Sequence, residues 1–235
     1  MMAFLSSKVF AVFITFLAFY GAQRIYLRYR RFWLNPVLLS IVSLIAFLKA
    51  TGLPYPTYFE GGRIISFFLG PSVVALGVPL YLQLEEIRKR GRAIGVSMAV
   101  ASVVGVGSAA GTAALLGASD PVIFSMAPKS VTTPIAMGIA EKIGGIPSLT
   151  AAIVIATGVL GAVIGPGVLR LCGIRSRVAF GLAMGAASHG IGTARAVEEG
   201  EVEGASGGLA ICLNGIATAV VTPVLVKLLL MLVRP

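Results

Sequence analysis

Met126-Ala127-Pro128-Lys129-Ser130-Val131-Thr132-Thr133-Pro134 sets two prolines, three hydroxyls and a lysine in the middle of apolar sequence. Proline lacks the backbone N–H and its ring collides with the preceding turn, so no regular helix runs through this stretch. At membrane depth, irregular backbone is tolerated only where it is buried in protein or lines a wet cavity. Whether the surroundings are membrane therefore decides the fold.

Composition answers that. Of the 235 residues 57% are hydrophobic and only 12% charged, with mean hydropathy +0.96. A soluble domain carries about 25% charged residues, and a water-facing surface cannot be built from half that number. Apolar stretches at roughly 6–27, 36–51, 62–84, 92–117, 148–170 and 206–232 read as six spans. The first lacks a basic segment ahead of it and ends in arginines rather than a small-residue cleavage site, so it reads as a retained span and not a signal peptide.

The net charge of +10 reports topology rather than nucleic-acid binding. Eleven of the 19 basic residues fall in three clusters between apolar runs: Arg24, Arg28, Arg30 and Arg31; Arg88, Lys89, Arg90 and Arg92; Arg170, Arg175 and Arg177. Cytoplasmic loops gather such charges, and no basic stripe with interleaved aromatics occurs. With the three clusters inside, Pro54-Tyr55-Pro56-Thr57-Tyr58 is an outer turn and Asp120 lies outside. Segment 121–142 must then begin and end outside, as a re-entrant hairpin; a kinked pair of surface helices is the plainer alternative.

Segment 177–197 is its counterpart. A shift of 60 residues aligns Ala127 with Ala187, Thr133 with Thr193, Ala136 with Ala196, Glu141 with Glu201, Gly144 with Gly204 and Leu149 with Leu209, and Val103, Gly105 and Gly107 with Val163, Gly165 and Gly167. One crossing per unit reverses orientation, so the second hairpin would enter from inside, the inverted-repeat plan of many transporters. The sequence thus predicts an all-α polytopic membrane protein, a single transmembrane domain over 1–235. It has six clear spans, two irregular re-entrant or broken-helix segments and an inverted repeat.

Pro128-Lys129-Ser130-Val131-Thr132-Thr133-Pro134-Ile135-Ala136 and Ala187-Ser188-His189-Gly190-Ile191-Gly192-Thr193-Ala194-Arg195-Ala196 resemble the two signature stretches of the LrgB/CidB family. Asn35-Pro36-Val37-Leu38-Leu39, Tyr58-Phe59-Glu60-Gly61-Gly62, Leu69-Gly70-Pro71 through Val78-Pro79-Leu80-Tyr81, and Gly200-Glu201-Val202-Glu203-Gly204-Ala205 extend the likeness over nearly the whole chain. Gly190 departs from the alanine expected there but removes no polar group. The resemblance implies a multi-pass protein of the inner (plasma) membrane. It also implies holin/antiholin-like control of murein hydrolase activity and lysis, and a smaller LrgA/CidA-type membrane partner. Related proteins handle pyruvate or carry glycolate and glycerate in plastids. Movement of small carboxylates reconciles these labels, with a small anionic carboxylate as substrate and the lipid bilayer as surroundings; a homo-oligomer is an open option.

Several residues suit such a cargo. An ammonium near the bilayer centre costs at least ~2.5–3.5 kcal/mol, and a monocarboxylate would give Lys129 its counter-ion. Snorkelling, or pairing with Glu198, is the plainer reading. Arg195 offers a bidentate carboxylate clamp, or an ion pair with Glu198 or Glu199 at i+3 and i+4. His189, the one histidine, suits a proton relay or a hydrogen-bonded packing role. Ser130, Thr132, Thr133, Ser188 and Thr193 provide neutral partners for a 2-hydroxy or 2-oxo oxygen, or bond to i−4 carbonyls. Asn214, alone and polar in the last span, reads first as a helix–helix hydrogen bond and second as a pore-lining group. Gly70-Pro71 and Gly165-Pro166 read as bends, and Cys172 and Cys212 as packed thiols. No catalytic dyad follows from adjacent Ser188 and His189, no metal pattern is built with one histidine, and no cofactor is expected.

Overall fold

A computed structural model describes residues 6–29, 36–68 and 84–233, with positions 34, 71, 78 and 81. The chain forms two compact units, Met1–Ser72 and Val73–Pro235. Among the described residues, four helices are long and apolar enough to cross a membrane: Lys8–Tyr29, Gly91–Leu115, Pro147–Leu171 and Glu201–Met231.

The first unit holds α1 (Lys8–Tyr29), α2 (Pro36–Thr51) and α3 (Tyr55–Phe67). Pro36 opens α2 where a missing N–H costs nothing, and Gly52 at φ 67° ends it in the left-handed conformation that glycine adopts freely. The expected outer turn at Pro54–Tyr58 is instead the start of α3. Pro54 is its N-cap and Pro56 lies in its first turn, where the N–H groups have no helical partner anyway. α3 crosses α1 at Gly61, whose Cα leaves no room for a side chain against Ala11 and Lys8. There the Thr15 hydroxyl meets the Tyr58 hydroxyl at 2.6 Å.

The expected span 62–84 is not visible as one helix. Its described start, Gly62–Phe67, is the tail of the 13-residue α3, roughly 20 Å long and short of a ~30 Å hydrocarbon core. Most of the remainder, Gly70 included, lies outside the described residues.

The second unit is α4 (Leu84–Leu115), α5 (Asp120–Met126), α6 (Thr133–Ile143), α7 (Pro147–Leu171), α8 (Arg177–Glu199) and α9 (Glu201–Val233). α9 is its axis. α4 runs parallel to it, with the Ser102 and Thr218 hydroxyls 3.1 Å apart, and Gly107 and Gly111 facing Leu225 and Leu229. Val106, Ala110 and Ala113 pack with Ile123, Ala127 and Val226 around the C-terminal half of α9. In α7, Thr150, Val154, Gly158, Ala162 and Pro166 are buried at every fourth position, one stripe turned inward.

Pro128 and Pro134 divide the segment after α4 into α5 and α6, joined by residues 127–132. The segment doubles back: the Ile146 N–H donates to Ser125 Oγ at 2.7 Å, and Gly145 lies against the Phe124 and Ser125 backbone. Its open end sits by the C-terminal part of α9, where Asp120, Ile143, Lys227 and Met231 help line a cavity of about 410 Å³.

α8 also doubles back. Its backbone leaves helical geometry at Ser188 (φ −131°, ψ 16°) and His189 (φ 42°, ψ −132°). Before the break it climbs parallel to α9, Gly181 lying against Glu203 and Ser206, and Gly185 against Gly207 and Ala210. After it the chain descends, Thr193 lying against Gly207 and Val197 against Gly204. A straight helix of 23 residues would hold its ends roughly 34 Å apart. Here both ends return to the start of α9: Arg177 Nε donates to Glu203 Oε1 at 2.9 Å, and Arg170, in the last turn of α7, reaches Glu199 at 2.8 Å. Two helical hairpins therefore approach the middle of α9 from its opposite ends.

Candidate functional site

The hairpin tips meet at Asn214, near the middle of α9. Its Nδ2 donates to the Ser130 carbonyl at 3.2 Å and to the Ala186 carbonyl at 3.1 Å. One amide, fully buried, thus ties the tip of the α5–α6 hairpin to that of α8. The helix–helix hydrogen bond read from the sequence is present, and it joins three segments rather than two. Ser130 Oγ faces Gly105 of α4, and Ile135 of α6 faces Gly215 of α9, so small residues let the first tip reach the axis.

Lys129 lies in the first tip, half-buried. Its Nζ donates to Ser130 Oγ at 3.3 Å, and among the described residues no carboxylate is paired with it. Thr133 begins α6. Thr132 Oγ1 is buried with no hydrogen-bond partner, so neither hydroxyl is shown returning to an i−4 carbonyl.

His189 stands at the second tip, at the residue corresponding to Lys129 under the 60-residue shift. Its φ of 42° is the one positive value at a non-glycine among the described residues, and such a conformation costs of order 1–3 kcal/mol. What holds it is α7: His189 Nε2 lies 3.0 Å from the Val154 carbonyl, buried, and the ring and Ser188 fill the space that Gly158 and Gly161 leave open. A carbonyl accepts only, so Nε2 carries a proton. Ser188 is buried. Thr193 Oγ1 is buried and has no partner.

Arg195 is committed elsewhere. Its guanidinium donates to Glu198 at 3.2 Å and to Glu199 at 2.6 Å, at the open end of the hairpin rather than at its tip. Glu199 also receives Arg170, so one carboxylate binds the ends of α7 and α8 together. The ion pair foreseen as the alternative for Arg195 is therefore made, and the structure does not bring Arg195 to Lys129. Glu198 is occupied by Arg195 and not by Lys129. Cys212 is buried as expected of a packed thiol, whereas Cys172 is exposed.

The tips thus gather one ammonium, one imidazole, several hydroxyls and a shared amide. Among the described residues, three of the four buried side-chain polar atoms without a partner, Thr132 Oγ1, Thr193 Oγ1 and Asn214 Oδ1, belong to these segments. Buried polar groups are nearly always satisfied, so these atoms make the tips the candidate site. Sequence reasoning missed that Asn214 joins both tips; a single amide in a long apolar span was the signal available.

A family model described as the LrgB-like family matches residues 15–228. A Bacillus subtilis (strain 168) protein named uncharacterized protein YwbG is 36% identical over 219 residues, 93% of this chain and 97% of its own. The antiholin-like protein LrgB of Bacillus mycoides is 34% identical over 224 residues, 94% of this chain and 97% of its own. An uncharacterized Haemophilus influenzae protein is 34% identical over 217 residues, 92% and 94% of the two chains. No solved structure matches.

Proposed function

The chain belongs to the LrgB-like family, and from that premise we propose that it carries small monocarboxylates of the pyruvate, glycolate or glycerate kind across the inner (plasma) membrane. The observation that carries this reading is Lys129: a half-buried ammonium at a hairpin tip, paired with no carboxylate among the described residues. An anionic cargo removes the penalty of an uncompensated cation at depth. Ser130, Thr132 and Thr133 follow it in the chain and would serve the second oxygen of a 2-hydroxy or 2-oxo acid. Ser188 and His189 pack on α7 and Thr193 against Gly207, so their part in binding would come from the second hairpin rather than from contact with Lys129. Arg195 serves as a strut in this scheme, holding the open end of its hairpin.

The two hairpins are the irregular halves of an inverted repeat. Support comes from register: the breaks at 127–132 and 188–189 superpose under the 60-residue shift that aligns the sequence identities. In inverted-repeat transporters, paired discontinuous segments meet near the midplane, and rocking of one repeat against the other alternates access. The whole chain acts as one transmembrane domain, with a small LrgA/CidA-type membrane subunit as partner and no enzymatic step.

Purified protein in proteoliposomes tests this. Labelled pyruvate, glycolate and glycerate should each be examined for saturable uptake above protein-free vesicles, with and without the small partner. Absence of uptake for all of them in both settings sinks the reading.

A second reading is favoured by the name of the Bacillus mycoides relative, antiholin-like protein LrgB. On it the chain regulates murein hydrolase activity and lysis without a cargo of its own. It calls for no uptake in the same vesicles, together with partner-dependent change in leakage of an entrapped dye.

A further inference from the structure

An asparagine amide has two N–H donors and one oxygen that only accepts. At Asn214 both donors are used, on the Ser130 and Ala186 carbonyls. Turning the amide over would set its oxygen against two carbonyl oxygens, so chemistry fixes the orientation. Oδ1 is then left buried and without a partner. Ser130 links this amide to the cation, since its carbonyl receives Asn214 Nδ2 while its Oγ receives Lys129 Nζ at 3.3 Å. A donor for an anion and an acceptor for a proton therefore flank one residue.

We infer that Asn214 Oδ1 is a specificity-determining acceptor for a hydroxyl on the cargo, so that the site prefers 2-hydroxy monocarboxylates to their 2-oxo counterparts. The inference rests on the carboxylate reading above and narrows it. With the carboxylate on Lys129, a hydroxyl at C2 donates to Oδ1. A keto oxygen at C2 brings only lone pairs and repels it. Thr132 and Thr193, the other buried hydroxyls without partners, do not discriminate, because a hydroxyl rotates to donate or accept.

The test uses wild-type protein in proteoliposomes: uptake of labelled glycolate in competition with unlabelled lactate, pyruvate or propionate, three acids of one carbon skeleton. Lactate is expected to inhibit at about tenfold lower concentration than pyruvate, with propionate no better than pyruvate, the scale of one neutral hydrogen bond. Equal or stronger inhibition by pyruvate or propionate overturns the inference and leaves the carboxylate reading standing. No glycolate uptake and no competition by any acid removes the carboxylate reading and the inference with it. In Asn214→Thr the lactate-to-pyruvate ratio should fall to about one, and a ratio kept at tenfold assigns the discrimination to another residue. The wild-type series can overturn the inference even if the variant does not fold.

Discussion

Arg170, in the last turn of α7, is ion-paired with Glu199, the last residue of α8, at 2.8 Å, although α8 sets out only seven residues after Arg170. A segment that leaves a helix end and returns to it has not crossed anything. The pair thereby bears on topology: the N- and C-terminal ends of α8 share a face, and α9 departs from that face toward the opposite one.

Sidedness follows. On a background with Cys172 and Cys212 replaced, Arg175→Cys and Glu198→Cys are expected to react with a membrane-impermeant thiol reagent from one and the same side, and Glu141→Cys, at the open end of the other hairpin, from the opposite side. Opposite labelling of positions 175 and 198 would mean that α8 crosses.

Backbone strain at His189 gives an inverted glycine effect. In a helix interior glycine is about 1 kcal/mol worse than alanine, but φ 42° with ψ −132° is a conformation glycine adopts without cost. Both His189→Ala and His189→Gly lose the bond to the Val154 carbonyl, and only the second relieves the strain. Thermal unfolding in detergent should therefore rank His189→Gly above His189→Ala by roughly 1 kcal/mol or more. The ordinary helical ranking would show that the tip is not strained.

Asn214→Leu removes the donors that serve two tip carbonyls. Each buried acceptor left without a partner costs about 1–3 kcal/mol in water-soluble proteins, and interhelical bonds in membranes average less, near 0.6 kcal/mol. A loss of roughly 1–4 kcal/mol is expected, read as a lower unfolding midpoint. Ser102→Ala, with a hydroxyl pair at α4–α9 and no tip to hold, should cost less than half as much.

How far the sequence told this in advance depends on which residues one takes. Pro128 and Pro134 announce their break because proline cannot donate, and the α5–α6 division falls between them. The break at Ser188–His189 has no proline to signal it, and only its register with Lys129 under the 60-residue shift points there; the packing of His189 on Gly158 and the Val154 carbonyl is tertiary and leaves no local trace. Hydropathy located α1, α7 and α9, but it joined Gly62–Phe67 to a longer apolar run because a hydropathy window does not see that α3 begins at the Pro54–Pro56 signal. For Arg195 the i+3 and i+4 acidic neighbours were legible, and they decide its fate. What remained hidden was Arg170 on Glu199 and the Asn214 junction, contacts between residues far apart in the chain.

The central claim is that Lys129, and not Arg195, meets the anion. It is tested most directly by uptake of labelled glycolate and pyruvate into proteoliposomes holding equal amounts of folded wild-type, Lys129→Ala and Arg195→Ala protein. Lys129→Ala should reduce uptake to the protein-free level, while Arg195→Ala, missing only a strut, keeps a substantial part of it. Wild-type uptake by Lys129→Ala, or loss confined to Arg195→Ala, would contradict the claim.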